Sequence, residues 1–256
     1  AMKRRFFYAV AMVMAACALG LVSCGDDKDE LKPAISDNSD NSDNSEEVEK
    51  VEYTYSTPEA VDLGLSVKWA NFNLGASKPE EFGYYYGWGC TEPYADTDSV
   101  CWELYFRMLG GKGTSLEDCG TSLDPLQEYE YPNLKSIGAT KWDAARQNLG
   151  GKWRMPTSDE LGEMVGLCDC TRTTMNGVSG MKVTNKSDTS KYIFFPAAGS
   201  RYGLSHSSEE IGCYWSSDPY EFGIGGAYYR YFIADRWDTY YFYRDDGFSI
   251  RPVMDY

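Results

Sequence analysis

The chain after residue 181 is a series of short apolar and aromatic segments separated by glycine, serine and aspartate. Segments of this length and composition are typical of β-strands bounded by turns. This pattern is the strongest constraint on the fold, because it makes β-structure dominant. The predicted strands cover 181–184, 191–195, 213–216, 226–233, 238–243 and 248–254, and earlier ones are predicted at 65–70, 84–86 and 152–155.

Two helices are predicted between these groups of strands. The first has Thr140 as its N-cap and Asp143 at its third helical position, and it ends at the glycine pair 150–151. The second begins after Thr157, with Glu160 three residues further on as the partner in a capping box. The buried faces are expected to hold Trp142, Ala145 and Leu149 in the first helix, and Leu161, Met164 and Val165 in the second. Helices and strands together predict an α+β domain over residues 53–256.

The first 24 residues have the pattern of a secretory signal. Lys3, Arg4 and Arg5 precede an apolar run over 6–22, which is slightly short for a membrane-spanning helix. The run ends in Leu-Val-Ser-Cys, which resembles a bacterial lipobox and implies lipid attachment at Cys24. An acidic cluster follows at 25–30 and resembles the surface-export signal of Bacteroidetes lipoproteins. We therefore expect an outer-membrane lipoprotein that is exposed on the cell surface and held to the membrane by its lipid.

Residues 25–52 are expected to form a disordered acidic tether. They contain eleven acidic residues against three lysines, and 36–45 repeat Ser-Asp-Asn three times. Few of these residues are apolar, so burial cannot offset the entropy of ordering them. A flexible chain of this length would hold the following domain about 30 Å from the anchor.

The overall composition excludes several classes of function. Lys and Arg number 24 against 39 Asp and Glu, a net charge of −15, whereas a nucleic-acid surface needs an excess of basic residues. His206, expected in an exposed loop, is the only histidine, so a His-rich metal site is excluded and only one imidazole base is present. We expect no enzyme activity, no metal and no cofactor. The 21 tyrosines and seven tryptophans instead favour recognition.

Seven segments, in order, resemble the Fibrobacter succinogenes major paralogous domain, a group of secreted bacterial domains with a C-type-lectin-like fold. They span about 61–253 and read VDLGLSVKWA at 61–70, NLGA at 73–76, GYYYGWG at 83–89, GKWRMPT at 151–157, FFPAAG at 194–199, YWSS at 214–217 and GFSIRPV at 247–253. The resemblance implies two helices and twisted antiparallel strands, with the first and last strands side by side. Arg230 stands where the family usually has leucine, and 90–139 is a long irregular insertion without a counterpart.

Calcium-dependent sugar binding is not expected from this resemblance. Lectins that bind sugar through calcium use Glu-Pro-Asn or Gln-Pro-Asp together with Trp-Asn-Asp. In this chain Glu92-Pro93 is followed by Tyr94, and Trp237-Asp238 lacks the preceding context.

The C-terminal stretch 214–247 is the predicted ligand-binding surface. It holds eight tyrosines and two tryptophans, and strand alternation with Phe232 and Phe242 inward turns the other aromatic residues outward. Such a face resembles an antibody paratope, although cross-strand packing is the alternative interpretation. Related lectin-fold proteins are targets of diversity-generating retroelements, and this resemblance implies a hypervariable face. The expected ligand-binding residues are Tyr220, Tyr229, Tyr231, Asp235, Trp237, Tyr241, Tyr243, Arg244 and Asp245, and the expected partner is a protein or glycan on another cell or host surface.

The cysteines and the fold leave two further alternatives open. Six cysteines lie beyond the lipobox, and their pairing is not fixed by the sequence: Cys90, Cys101, Cys119, Cys168, Cys170 and Cys213. Cys168 and Cys170 are too close for an ordinary mutual bridge, so one of them is expected to reach Cys213 or the insertion, unless all are free. Formylglycine-generating enzymes share a lectin-like architecture and use a cysteine pair with copper, which makes an oxidase one alternative. A structural subunit of a surface fibre is the other.

Overall fold

The computed structural model describes residues 52–94, 135–202, 205–207, 210–221 and 226–256, all within one compact unit, 50–256. The predicted signal, Cys24 and the tether apart from its last residue lie outside the described residues, as do Cys101, Cys119 and most of the insertion. None of the helices described is both long and apolar enough to cross a membrane.

The described residues form two helices and four antiparallel sheets, so the domain is α+β as predicted. The helices are α1 (Ala144–Leu149) and α2 (Ser158–Leu167). The strands are β1 (Ala60–Val61), β2 (Lys68–Ala70), β3 (Trp153–Arg154), β4 (Asp169–Met175), β5 (Val178–Thr184), β6 (Tyr192–Pro196), β7 (Arg201–Tyr202), β8 (Ser205–His206), β9 (Ile211–Pro219), β10 (Gly226–Ile233), β11 (Arg236–Tyr243) and β12 (Val253–Met254). His206 therefore lies in a short strand rather than in the expected loop.

The sheets join distant parts of the chain. The first sheet has the order β1-β2-β12-β3, and Val253 of β12 pairs with Trp69 of β2. The early and late strands are therefore side by side, as the family resemblance implies. The other sheets have the orders β11-β10-β9, β4-β5-β6 and β7-β8, each built from strands that are close in sequence.

The two helices differ in how well their starts were predicted. The capping box of α2 is confirmed: Thr157 Oγ1 accepts from the Glu160 backbone N–H at 3.1 Å, and the Thr157 N–H donates to Glu160 at 2.8 Å. The predicted start of α1 is wrong, since Asp143 rather than Thr140 is its N-cap. The Asp143 carboxylate is fully buried and accepts from three backbone N–H groups, those of Ala139, Arg146 and Met155, at 2.7 to 3.0 Å.

The strand predictions differ from the structure in several places, and the short strands β1, β7 and β8 were not predicted. β4 was not predicted; it pairs with β5 through a hairpin whose turn residues, Asn176 and Gly177, both have positive φ. The strand predicted at 84–86 is reduced to a single bridge between Tyr86 and Phe248. Of the strand predicted at 248–254, only Val253–Met254 is a strand, and the preceding residues pair through single bridges.

A buried arginine connects two of the sheets. Arg251 is fully buried, and its guanidinium donates to the backbone oxygens of Ala70 at 3.1 Å and Phe194 at 2.7 Å. It also donates to Asn73 Oδ1 at 2.9 Å and lies 4.4 Å from the centre of the Phe195 ring. The guanidinium therefore bridges backbone groups at β2 and β6, and its full set of donors is suited to this role.

Candidate ligand-binding surface

The three strands that carry the predicted aromatic surface form the sheet β11-β10-β9. A two-residue turn, Ala234–Asp235, joins β10 to β11, and Ala234 has a φ of 50°. This turn places Phe232 directly opposite Trp237, and Tyr228 directly opposite Tyr241. Directly opposed residues on antiparallel strands share a face of the sheet. The register therefore decides which tyrosines face solvent.

The prediction that Trp237 faces outward is wrong. Its ring centre lies 4.8 Å from that of Phe232 and 5.4 Å from that of Phe195, both of which are fully buried. Trp237 therefore packs against the core beneath β11. The error arose because Phe232 and Phe242 were both assigned inward, whereas the register places them on opposite faces of the sheet.

Tyr229 and Tyr231 are also misassigned. The ring of Tyr229 lies 4.7 Å from that of Phe248 and 6.0 Å from that of Trp215, and Tyr231 lies 5.7 Å from Tyr229. Both tyrosines are half-buried, and burial raises the pKa of each phenol. Both side chains lie on the face of the sheet opposite to Phe232, where they contact one another and the core. Packing, rather than ligand binding, therefore explains these two positions.

The charged residues at the end of β11 are buried rather than at the rim of a surface. Arg244 is 4 % exposed; its Nε donates to the Gly226 oxygen at 2.9 Å and its guanidinium lies 4.5 Å from the Trp88 ring. Asp245 is 7 % exposed, and burial raises its pKa. Three consecutive charged residues predict an exposed turn, but the chain here returns to the core through Phe248. The placement of Arg244 and Asp245 on an exposed face is therefore wrong.

A compact group of exposed and half-buried tyrosines lies at the open end of the hairpin, away from the 234–235 turn, and we call it the tyrosine cluster: Tyr220, Tyr228, Tyr240 and Tyr241. The rings of Tyr220 and Tyr241 are parallel with centres 3.6 Å apart, and Tyr228 meets Tyr220 edge-on at 5.5 Å. Tyr240 stacks on Tyr241 at 4.9 Å. Tyr240 and Tyr241 are 50 % and 38 % exposed, and the neighbouring Tyr243 is 68 % exposed.

The structure thus separates the predicted site residues into three groups. Tyr220, Tyr241 and Tyr243 lie together at the surface, which confirms the exposure predicted for Tyr241 and Tyr243. Asp235 is exposed but lies in the turn at the far end of β11, about 20 Å along the strand. The remaining five residues are buried or packed against the core: Tyr229, Tyr231, Trp237, Arg244 and Asp245.

Sequence reasoning missed two members of the tyrosine cluster. Tyr228 and Tyr240 were assigned to inward-facing positions, because alternation was counted separately in each strand. The signal that identifies Tyr228 is its pairing with Tyr241 across the hairpin, which becomes visible once the two-residue turn is known. Tyr240 is exposed because β11 is an edge strand of its sheet, with β10 on one side only among the described strands.

The chemistry of the tyrosine cluster is that of neutral phenols. The pKa of Tyr220 is raised, mainly by desolvation and then by its hydrogen bond and charge interaction with Tyr241. The pKa of Tyr228 is raised as well, first by desolvation and then by the charges of Glu221 and Asp218. The cluster therefore offers uncharged rings for stacking together with hydroxyl groups that donate and accept hydrogen bonds.

Three cysteines of the described part are free thiols: Cys168, Cys170 and Cys213. The expected bridge from Cys168 or Cys170 to Cys213 is therefore absent. Burial raises the pKa of Cys170 to about 11 and that of Cys213 to about 12, which keeps both sulfurs protonated at neutral pH. These thiols behave as packing groups in the present fold.

Comparison of the chain with models of protein families, with curated proteins and with solved structures gives no match. The geometry of the tyrosine cluster and the arrangement of the sheets are therefore the observations on which a functional assignment depends.

Proposed function

We propose that this chain is a surface lipoprotein whose C-terminal domain binds a protein or glycan ligand through the tyrosine cluster, as an adhesin or receptor-binding module. The observation that supports this proposal best is the stacked pair Tyr220–Tyr241 at the surface, extended by Tyr240. Aromatic residues of a β-rich domain usually pack inward, and the same sheet does so with Tyr229 and Trp237. A group of exposed rings at the end of that sheet is the kind of feature that marks a binding site.

The proposal includes a C-type-lectin-like fold and membership of the Fibrobacter succinogenes major paralogous domain family. The support is the correspondence between the family-like segments and the core. Trp69, Trp215 and Arg251 come from three of these segments, and all three are fully buried. The pairing of β2 with β12 and the presence of two helices agree with the same fold.

The tyrosine cluster is chemically suited to ligand binding. Each Tyr ring offers a rigid apolar surface with only two rotatable side-chain bonds, so ordering it on binding costs little entropy. The parallel stack of Tyr220 and Tyr241 already fixes the two rings relative to one another before a ligand arrives. Pre-organisation of this kind lowers the entropic cost of association.

The experiment is a double substitution, Tyr220→Ser with Tyr241→Ser, compared with a matched control, Tyr192→Ser. Tyr192 is 42 % exposed on β6, in a different sheet, and therefore controls for the loss of an exposed tyrosine as such. The readouts are binding to a glycan array and to intact cells of candidate hosts, together with the melting temperature. We expect the double variant to lose binding at least about tenfold while its melting temperature stays near that of the wild type.

The result that contradicts the proposal is equally specific. If the double variant binds every ligand and cell that the wild type binds, the cluster is not the binding site. If its melting temperature collapses while the control is unaffected, the stacked rings serve packing. Sequencing the same locus in sister strains then tests the hypervariable face: variation confined to 214–248 supports it and invariance there removes it.

A further inference from the structure

The side chain of Arg230 lies on the same face of the sheet as Tyr228 and Tyr241, and it has no role in the function proposed above. Arg230 is in β10, two residues after Tyr228, and it is directly opposite Thr239 of β11. Residues two apart on a strand are about 7 Å apart and point to the same side. The Arg230 side chain is therefore next to the tyrosine cluster, between it and the buried pair Phe232–Trp237.

The Arg230 guanidinium lacks partners within the described structure. Its Nε and Nη1 are buried and make no hydrogen bond, and no described carboxylate lies within ion-pair distance. Nη1 lies against helix α2, where a Cβ added at Gly162 would come within 3.3 Å of it. Nη2 is not among the buried unpaired atoms, so the guanidinium keeps one edge towards solvent.

A half-buried guanidinium without an acceptor is unfavourable. Desolvation lowers the pKa of Arg230, while the charge of Asp238 opposes this effect only partly. Arg251, which is fully buried, has by contrast three hydrogen-bond acceptors around it. An anionic group that bound at the accessible Nη2 would form a charge-assisted hydrogen bond and would compensate the positive charge that the fold leaves without a counter-ion.

We propose that Arg230 binds the carboxylate of a hexuronate sugar whose ring packs against Tyr228, the member of the tyrosine cluster that lies two residues away on the same face of β10. This inference rests on the proposed function, because it names the ligand class for the same surface. The distance of about 7 Å between neighbouring same-face positions is suited to one sugar ring that bears an acidic group. The neutral phenol hydroxyls at the cluster are hydrogen-bond partners for the sugar hydroxyls.

The surrounding charges restrict the ligand further. Asp218 and Glu221 both act on the Tyr228 phenol and raise its pKa, so negative charge is already present on that side of the cluster. A second carboxylate on the ligand would be repelled there. The site is therefore expected to prefer a saccharide with a single acidic residue to a polyacidic chain.

The test uses two probes that differ only in charge: a disaccharide of one glucuronate and one neutral sugar, and the methyl ester of the same disaccharide. Binding is measured by calorimetry or by NMR titration of the whole mature chain. The variants are Arg230→Leu and Arg230→Lys, with Arg236→Leu as the matched control. Arg236 is an exposed arginine at the far end of β11.

We expect the wild type to bind the acid about tenfold or more tightly than the ester, since only the acid forms an ion pair with the guanidinium. Arg230→Leu should abolish this preference by weakening acid binding to about the level of ester binding, and Arg230→Lys should restore part of it. Arg236→Leu should behave like the wild type. Arg230→Leu should also melt at the same or a higher temperature, because it removes an unpaired half-buried charge.

Three results overturn the inference and separate it from the proposed function. Equal, tyrosine-dependent binding of acid and ester removes the role of Arg230 but leaves the binding surface intact. Arg230-dependent binding of a peptide with a free C-terminal carboxylate, without binding of the disaccharide, assigns the carboxylate to a protein ligand instead. Binding of the acid that is insensitive to Tyr228→Ser, to the Tyr220→Ser with Tyr241→Ser double substitution and to Arg230→Leu removes both proposals for this surface.

Discussion

Asp246 provides the sharpest quantitative prediction, because a carboxyl group is held in the interior next to a second one. It is 3 % exposed, and burial, followed by the charge of Asp245, raises its pKa from 3.8 to about 8. The folded state therefore binds a proton at Asp246 more tightly than the unfolded state does. Its contribution to stability is complete below pH 3.8 and is lost as the pH rises towards 8.

The size of this effect follows from the two pKa values. Between pH 3.8 and about pH 8, each rise of one pH unit lowers the free energy of unfolding by about 1.4 kcal/mol. The loss of stability from pH 4 to pH 7 is therefore about 4 kcal/mol. Asp246→Asn keeps a neutral group of similar shape and removes the titration. The variant should match the wild type near pH 4 and exceed its stability by about 4 kcal/mol at pH 7.

The assay is urea unfolding of the wild type and the variant at pH 4, 5, 6, 7 and 8. The quantity compared is the difference in stability between the two proteins, because this difference removes the pH dependence that both share. Asp235→Asn, in the exposed turn of the hairpin, is the control and should follow the wild type throughout. A difference between wild type and Asp246→Asn that stays constant within about 1 kcal/mol across this range would refute the reasoning.

Three further predictions concern the fold. Arg251→Met removes the donors to three buried neutral acceptors, so chemical denaturation should show a loss of about 3 kcal/mol or more; an unchanged midpoint would show that the guanidinium bridge does not stabilise the two sheets. Gly212→Ala should cost about 1 to 3 kcal/mol, because the added Cβ collides with the Phe232 ring. Its control, Gly166→Ala, has open space in an exposed helical position and should stabilise by up to about 1 kcal/mol. Asp143→Ala removes the cap of α1 and should lower stability by about 2 kcal/mol, measured as a reduced melting temperature; a loss below about 0.5 kcal/mol would contradict its role.

Features set by a few neighbouring residues could be predicted from the sequence. The capping box at Thr157 and Glu160 depends on residues three apart, and it is present as predicted. The hairpin of β4 and β5 carried an equally local signal, Asn176-Gly177, but the polar composition of β4 concealed it. β4 alternates between exposed and half-buried positions, so its sequence lacks the apolar pattern of a core strand.

Features set by long-range contacts were harder to predict. The faces of β10 and β11 depend on a turn with Ala234 at positive φ, where glycine or asparagine would have been the usual signal. A shift of one residue in the assumed register moves every side chain to the other face, and Trp237 was misassigned for this reason. The burial of Arg244, Asp245 and Asp246 is set by core contacts that no local pattern encodes.

The order β1-β2-β12-β3 also has a consequence for how the domain folds. The strand that is closest to the end of the sequence occupies an interior position in the sheet, between two strands that are made much earlier. β2 and β3 pair with β12 on either side, so they cannot join one another until residue 254 has emerged. Contacts between such distant residues slow folding. We therefore expect the first sheet to form late and cooperatively, after the local hairpins at 169–184 and 226–243.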